Sequence, residues 1–360
     1  MTFEEHLAGL GAASYLYANA SNAFKDVLAR LAAASGRPRP AVVMPSYVPA
    51  KLNRAALAGG CEVRFYEVHG DCAWDLAEVD RLVDRDAVAV FHVHYFGFPG
   101  PIAAMRELAT ARGVALLEDC ALTAGATHRG RPLGSFGDAA FFSMRKMLLY
   151  PEGGALVVGE ALRDFRPAYV RRVSSCWSAP RFALQRAKHA YVRLTGGADP
   201  LRLVRAGPEG SMDGRPRQQL EVKMLSTFTR LRLPFSDVTR LAQRRRENYR
   251  YLLERLAPSA AARPMFPELP DGVTPYSFPL VARGDRDGLR AALVRDGILA
   301  AAGWPESPFD DGLNRTRALA RSVVELPVHQ AVTRGQLDRS LRCVDRWARP
   351  RSVVRALARL

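Results

Sequence analysis

The N-terminal half of the chain alternates short apolar runs with stretches of helical periodicity. Residues Ser21 to Ala33 set Phe24, Val27, Leu28 and Leu31 on one stripe, which predicts a helix. Ala41-Val-Val-Met44 predicts a short buried strand ended by Pro45, and Ala50 to Ala58 a helix closed by Gly59-Gly60. Glu62 to Tyr66 reads as a strand and Trp74 to Val83 as a turn and helix. Ala87-Val-Ala-Val-Phe-His-Val-His94 has almost no polar alternation, the pattern of a strand covered on both faces. A helix over Ala103 to Ala111, a strand over Val114 to Leu117 ending at Glu118-Asp119, and the apolar run Ala155 to Val158 complete the series. Alternating strands and helices predict an α/β domain with a mostly parallel sheet.

Beyond this the pattern changes. Residues 160–220 are weakly patterned, rich in Arg and aromatics, and carry Gly196-Gly197 and the run Gly210 to Gly214. A helix is expected over Val238 to Leu256, then a proline-rich boundary from Pro264 to Pro275. The last part reads as strand Tyr276 to Val281, helix Arg286 to Arg295, an apolar stretch Ile298 to Ala302, Leu326-Pro-Val-His329, and a helix from Thr333 to Trp347. We therefore expect a large domain over 1–235, with 160–220 as an insertion or loop region, and a smaller α+β domain over 236–360.

Composition narrows the class. The chain has 360 residues, 48% of them hydrophobic, enough for a sizeable core. Five cysteines are scattered with no C-x-x-C pair, which argues against a disulfide framework or structural zinc site. The N-terminus carries Glu4 and Glu5 where a signal peptide carries bases, and no apolar run could span a bilayer, so a cytoplasmic location is expected. The net charge of +16 suits an anionic partner. No zinc-finger spacing, basic region with heptads or RNA-recognition strand is present, so nucleic acid is not the expected partner. The basic tail Arg349 to Leu360 could touch a membrane surface, but a solvated terminal helix is the expected reading.

Ligands in such sheets meet the carboxyl ends of strands. His94, Asp119 and the turn at 143–146 all fall there. Lys146 sits among small and apolar residues, three positions after Ser143 and before Glu152-Gly-Gly154. A poorly solvated amine is more easily neutral and nucleophilic, as condensation with an aldehyde cofactor requires; a snorkelling surface lysine is the plain alternative. Asp119 could stabilise a protonated ring nitrogen, or cap a helix. Ser143 could donate to a phosphate or satisfy a turn. Ser21 and Asn22 suit either an N-cap or a phosphate at a helix start. Tyr47 could stack on a planar ring or belong to the core. His92 and His94 share a strand face without a third ligand at recognisable spacing, so no metal site is expected. Dinucleotide, P-loop and nucleophile-elbow motifs are absent.

Taken together, Val43-Met-Pro-Ser-Tyr47, His94-Tyr-Phe-Gly97, Glu118-Asp-Cys-Ala121, Gly134 to Ser143, Glu152-Gly-Gly-Ala155, Arg244-Arg-Arg-Glu-Asn248 and Leu326-Pro-Val-His329 resemble the DegT/DnrJ/EryC1/StrS family. These are mostly nucleotide-sugar aminotransferases. The resemblance implies an aspartate-aminotransferase-like fold (PLP fold type I), with a mostly parallel large domain and a smaller C-terminal α+β domain. It implies pyridoxal 5'-phosphate as cofactor, Lys146 as its covalent anchor, Asp119 on the ring nitrogen, and Ser143 with Ser21 and Asn22 near the phosphate. It further implies a homodimer, an amino-acid donor such as glutamate, and a keto-sugar acceptor, nucleotide-linked and anionic. The family's related dehydratases carry histidine in place of the lysine, so lysine here favours transamination. Against the family pattern, Leu122 and Ala124 replace hydrogen-bonding residues, the aromatic after the Pro-Ser-Tyr segment is displaced by Val48-Pro49, and the Asn-Tyr-Arg-Met segment is not recognisable. Two alternatives therefore stay open: a non-catalytic or regulatory relative on the same scaffold, and a cofactor enzyme acting on a non-sugar substrate.

Overall fold

The continuous apolar runs become the centre of a nine-stranded sheet in the computed structural model of the chain. The structure describes residues 1–195, 221–257, 259, 261–300, 303–304 and 313–348. The expected Gly196-Gly197 and Gly210 to Gly214 features and the basic tail Arg349 to Leu360 lie outside these residues.

In chain order the N-terminal elements are α1 (Phe3–Ala8), β1 (Ala13–Tyr17), α2 (Ala20–Ser35), β2 (Ala41–Pro45), α3 (Ala50–Ala58), β3 (Glu62–Tyr66), α4 (Leu76–Leu82), β4 (Ala87–Val93), α5 (Ile102–Arg112) and β5 (Ala115–Cys120). A small hairpin, β6 (Thr127–His128) and β7 (Arg131–Pro132), precedes β8 (Ala139–Ser143), α6 (Met144–Met147) and β9 (Gly154–Val158). Then come β10 (Arg171–Arg172), α7 (Ser175–Thr195), β11 (Lys223–Met224) and α8 (Thr227–Arg230). The sheet order is β10-β11-β1-β9-β8-β5-β4-β2-β3. Strands β3, β2, β4, β5 and β8 run parallel; β9 is antiparallel to both β8 and β1, and β11 with β10 continues the sheet beyond β1. Every residue of β4 is buried, as its unbroken apolar pattern requires. Beneath α2, Phe24 packs on Phe91 at 4.6 Å and Phe141 at 5.5 Å between ring centroids.

The C-terminal part contains α9 (Val238–Arg255), β12 (Ala262–Pro264), β13 (Ser277–Ala282), α10 (Arg286–Arg295), α11 (Asn314–Ser322), β14 (Val323–Pro327) and α12 (Arg334–Ala348). Its three strands form an antiparallel sheet in the order β12-β13-β14. This smaller α+β unit and the mostly parallel large sheet are the aspartate-aminotransferase-like architecture. The two meet at Gly97, where Tyr276 N–H donates to Phe96 O at 2.7 Å. A Cβ at Gly97 would stand 2.2 Å from Thr274 O, and its φ of +94° is left-handed, so only glycine allows this approach.

Several elements differ from the sequence expectation. Helix α2 starts at Ala20, and its cap is Asn19 rather than Ser21 or Asn22, because the Asn19 side chain accepts from Asn22 N–H at 3.0 Å. Helix α7 forms within the weakly patterned stretch; Pro180 and dispersed charges blur its stripe. Strand β1 and helices α1 and α11 were not anticipated. They are short, and tertiary pairing rather than periodicity decides them: β1 sits between β9 and β11. Among the described residues no helix is long and apolar enough to cross a membrane.

Candidate active site

Asp119 is the next-to-last residue of β5, in register with Val93 of β4 and Phe141 of β8. Strand β8 ends on Ser143, paired with Gly154 of β9. The chain then turns at once into α6, which carries Lys146. Opposite stands the first turn of α2, whose leading N–H groups have no intrahelical acceptor. A Cβ on Gly154 would lie 2.3 Å from Ala20 N and 2.4 Å from Asn19 C. The glycine therefore lets β9 press against the start of α2. Gly153, at φ +116°, gives the turn its left-handed step, and its carbonyl accepts from Met144 N–H at 3.1 Å. This is the physical role of Glu152-Gly-Gly154: it brings α2, β8 and α6 together.

The result is one cavity lined by Lys146, Asp119, Ser143 and Ser21, over Phe24, Phe91 and Phe141. Lys146 is partly buried, and its Nζ lies 5.6 Å from the ring centroid of Trp304. Burial lowers the amine's pKa; Asp119 and Glu325 act to raise it, and Arg145 lowers it. Asp119 Oδ1 accepts from Ala121 N–H at 2.9 Å, a local turn that fixes the carboxylate. The cavity does not collect every expected residue. Asn22 is buried and donates its Nδ2 to Glu221 O, outside the lining. Tyr47 is fully buried, stacked on Tyr95 at 5.6 Å and packed against Trp304 at 5.0 Å, also outside the lining. It supports the aromatic wall behind Lys146 instead of facing the cavity.

Three lining residues escaped the sequence reading: Asn19, Lys51 and Arg145. Asn19 had a signal, since Asn-Ala-Ser-Asn offers three cap-type residues and not only the last two. Lys51 had one too: it stands in the first turn of α3, where the helix dipole disfavours a cation. Asn19 and Arg145 also line a second, larger cleft of about 670 Å³ beside α7, with Arg171, Arg172, Arg181 and Lys223 on its walls. Tryptophan 177 adds a flat apolar face there.

His94, Glu118 and Cys120 place ligand atoms within 4.8 Å of one another. Glu118 and His94 are already hydrogen-bonded. Glu118 accepts from Gly134 N–H at 3.0 Å and Gly137 N–H at 2.5 Å, and meets His94 Nε2 at 3.0 Å. Burial pushes the Cys120 thiol well up, away from the thiolate a metal would need. The cluster braces the strand ends under the cavity.

Residues 1–165 match the model of the DegT/DnrJ/EryC1/StrS aminotransferase family. Over those residues, a little under half of its length, the chain is similar to this family. A 105-residue stretch is 37% identical to the L-glutamine:2-deoxy-scyllo-inosose aminotransferase of Streptoalloteichus tenebrarius, covering 29% of this chain and 25% of that protein. Over 322 residues it is 26% identical to the dTDP-3-amino-3,4,6-trideoxy-alpha-D-glucose transaminase of Streptomyces venezuelae, covering 85% of this chain and 76% of that one. Among solved structures, S. venezuelae DesV superposes with a TM-score of 0.67 at 24% identity, covering 96% of this chain and 88% of DesV. Helicobacter pylori PseC, an aminotransferase of pseudoaminic acid biosynthesis, gives 0.66 at 15% identity, covering 96% and 90%. These structural likenesses bear on the fold alone. Similarity to this family points to pyridoxal-phosphate chemistry in general terms.

Proposed function

We propose that this chain is a pyridoxal-phosphate-dependent aminotransferase. It would move an amino group from an amino acid, with glutamate as the first donor to try, to a keto-sugar carried on a nucleotide diphosphate, and would work as a homodimer. The observation that carries this reading is the single cavity joining an amine of lowered basicity, a carboxylate, two hydroxyls and a helix start. That donor set fits the cofactor: an amine for its aldehyde, an acid for its ring nitrogen, and hydroxyls with free N–H groups for its phosphate.

When bound, the cofactor supplies an electron sink for the pair left by a broken C–H bond. The residues do the rest. Lys146 Nζ would hold the aldehyde carbon covalently. The same nitrogen, once released by the donor's amine, can take a proton from the donor's α-carbon and return one elsewhere, acting as general base and then acid. Burial keeps a fraction of that amine neutral below the usual lysine range. Asp119, fixed by Ala121 N–H, would hold a proton on the ring nitrogen. Ser143 and Ser21 would orient the phosphate. The neighbouring basic cleft supports an anionic acceptor, since Arg145 borders both spaces. Leu122, which is buried, would offer a bound cofactor no side-chain hydrogen bond.

The deciding experiment is a visible spectrum of purified protein reconstituted with pyridoxal phosphate, followed by borohydride reduction and peptide mapping. A band that shifts on adding glutamate, and a reduced label on Lys146, are expected. Protein that stays colourless would instead favour a cofactor-free binding relative on this scaffold.

A further inference from the structure

Arg245 lies in the middle of Arg244-Arg-Arg246, yet its side chain is fully buried on α9. Among the described residues it has no carboxylate partner. Its Nη2 donates to Lys146 O and Met147 O, both at 3.3 Å. Its Nη1 donates to Pro275 O at 3.2 Å and Tyr276 O at 2.9 Å, and its Nε to Gln330 Oε1 at 3.2 Å. Gln330 in turn donates Nε2 to Met147 O at 3.0 Å. Burial brings the guanidinium down to about 10, so it stays charged at neutral pH. Burying a charge against neutral carbonyls alone is expensive, and a neutral residue of that volume would avoid the cost.

The acceptors explain the arrangement. Helix α6 has four residues, too few to hold itself, and its last carbonyls have no intrahelical donors. Arg245 and Gln330 take those carbonyls from the C-terminal side. We propose that Arg245 is a positioning residue that pins the backbone of Lys146 to the smaller domain and so sets where the amine stands in the cavity. The planar fork matters: five N–H donors in fixed directions reach carbonyls on three segments at once, which an ammonium cannot do. This inference rests on Lys146 being the reactive amine.

The test uses the full chain and three single variants: Arg245→Met, Arg245→Lys and Gln330→Ala. Two probes separate position from binding. Pyridoxal phosphate with cyanoborohydride reads the rate of covalent labelling at Lys146, while pyridoxine phosphate, which has no aldehyde, reads binding alone. Arg245→Met should label Lys146 at least tenfold more slowly, with pyridoxine phosphate affinity within threefold of wild type. Arg245→Lys should recover part of the rate. Gln330→Ala should lose less, and combining it with Arg245→Met should add little, because both hold Met147 O. Wild-type labelling rates in Arg245→Met overturn the proposal, as does a parallel loss of pyridoxine phosphate binding. If Arg245→Met does not fold, unchanged labelling in both other variants overturns it. Labelling of wild type somewhere other than Lys146 overturns the functional reading instead, and faster amide exchange over residues 144–150 in Gln330→Ala would then still establish the clamp.

Discussion

Gly154→Ala tests the assembly of the site without assuming any chemistry. The added methyl group would sit 2.3 Å from Ala20 N, 2.4 Å from Asn19 C and 2.9 Å from Ala20 Cα. All three are backbone atoms of the α2 start, so no side chain can rotate aside. The methyl carbon needs more than an ångström of extra room, and either β9 or α2 must move. Strand β9 is paired on both sides, to β8 and to β1, so the helix start yields. Overpacking of this kind costs about 1–3 kcal/mol, and backbone contacts place this site toward the upper end. About 3 kcal/mol is roughly a 150-fold change in the folding equilibrium.

Urea unfolding followed by circular dichroism measures the loss as a lower midpoint with an unchanged slope. Gly9→Ala is the control: its φ is −83°, and the nearest atoms to an added Cβ are 3.7 Å away, so its midpoint should hardly move. Pyridoxine phosphate binding should weaken in Gly154→Ala and not in Gly9→Ala, because only the former displaces the N–H groups of the α2 start. A Gly154→Ala protein with the wild-type midpoint and affinity would mean that β9 does not press on α2, and the reasoning about the Glu-Gly-Gly turn would fall.

Lys146→Met should abolish covalent labelling by pyridoxal phosphate, and the labelling rate of wild type should rise with pH to a midpoint below 10.5, since burial favours the neutral amine; a midpoint at or above 10.5 would contradict this. Glu152→Ala should lower the urea midpoint by the equivalent of about 2–4 kcal/mol, with Glu152→Gln losing less, because Oε1 accepts from Ser178 Oγ at 2.8 Å, Thr229 Oγ1 at 3.0 Å and Ser226 N–H at 3.2 Å. Burial holds His6 at about 4, so the folded state resists a proton the unfolded chain accepts below 6.5. Stability should therefore fall as pH drops from 6.5 toward 4, by about 3 kcal/mol from this residue, and His6→Phe should flatten the urea midpoint's dependence over that range; an unchanged slope would count against it.

The parallel strands were legible because burial on both faces forces an unbroken apolar run, as in Ala87 to Val93. Their carboxyl ends then pointed to Asp119, Ser143 and Lys146 from chain order alone, and the structure places these with Ser21 in one cavity. What escaped depends on contacts distant in sequence. Tyr47 after a proline reads equally as ring partner or core, and only Tyr95 and Trp304 decide it. Lys51 and Arg145 look like ordinary surface cations until α3 and α6 are brought around the same space. Arg245, inside a run of three arginines, carries a solvated pattern, and nothing local marks the middle one as buried. Helix α7 hides because its exposed Trp177, Leu184 and Tyr191 break the rule that apolar residues mark the inward face.

The place of Lys146 meets what a reactive amine, the role we propose for it, would need. It must lose water to be neutral at moderate pH, yet a fully apolar pocket would drive it out or leave it unable to return a proton. The structure balances these demands between two domains. Burial lowers the amine's pKa most, while Asp119 from the large sheet and Glu325 from β14 each pull it back. Glu325 is itself held by Ser277 Oγ at 2.6 Å on the neighbouring strand β13. Moving the domains apart would remove the field of Glu325, which lowers the pKa, and readmit water, which raises it. Desolvation is the larger effect, so separation would move the amine's pKa back up toward that of an ordinary lysine. The lowered basicity of Lys146 thus depends on elements of the smaller domain, through the field of Glu325 and the Trp304 ring beside Nζ, as well as on the large sheet.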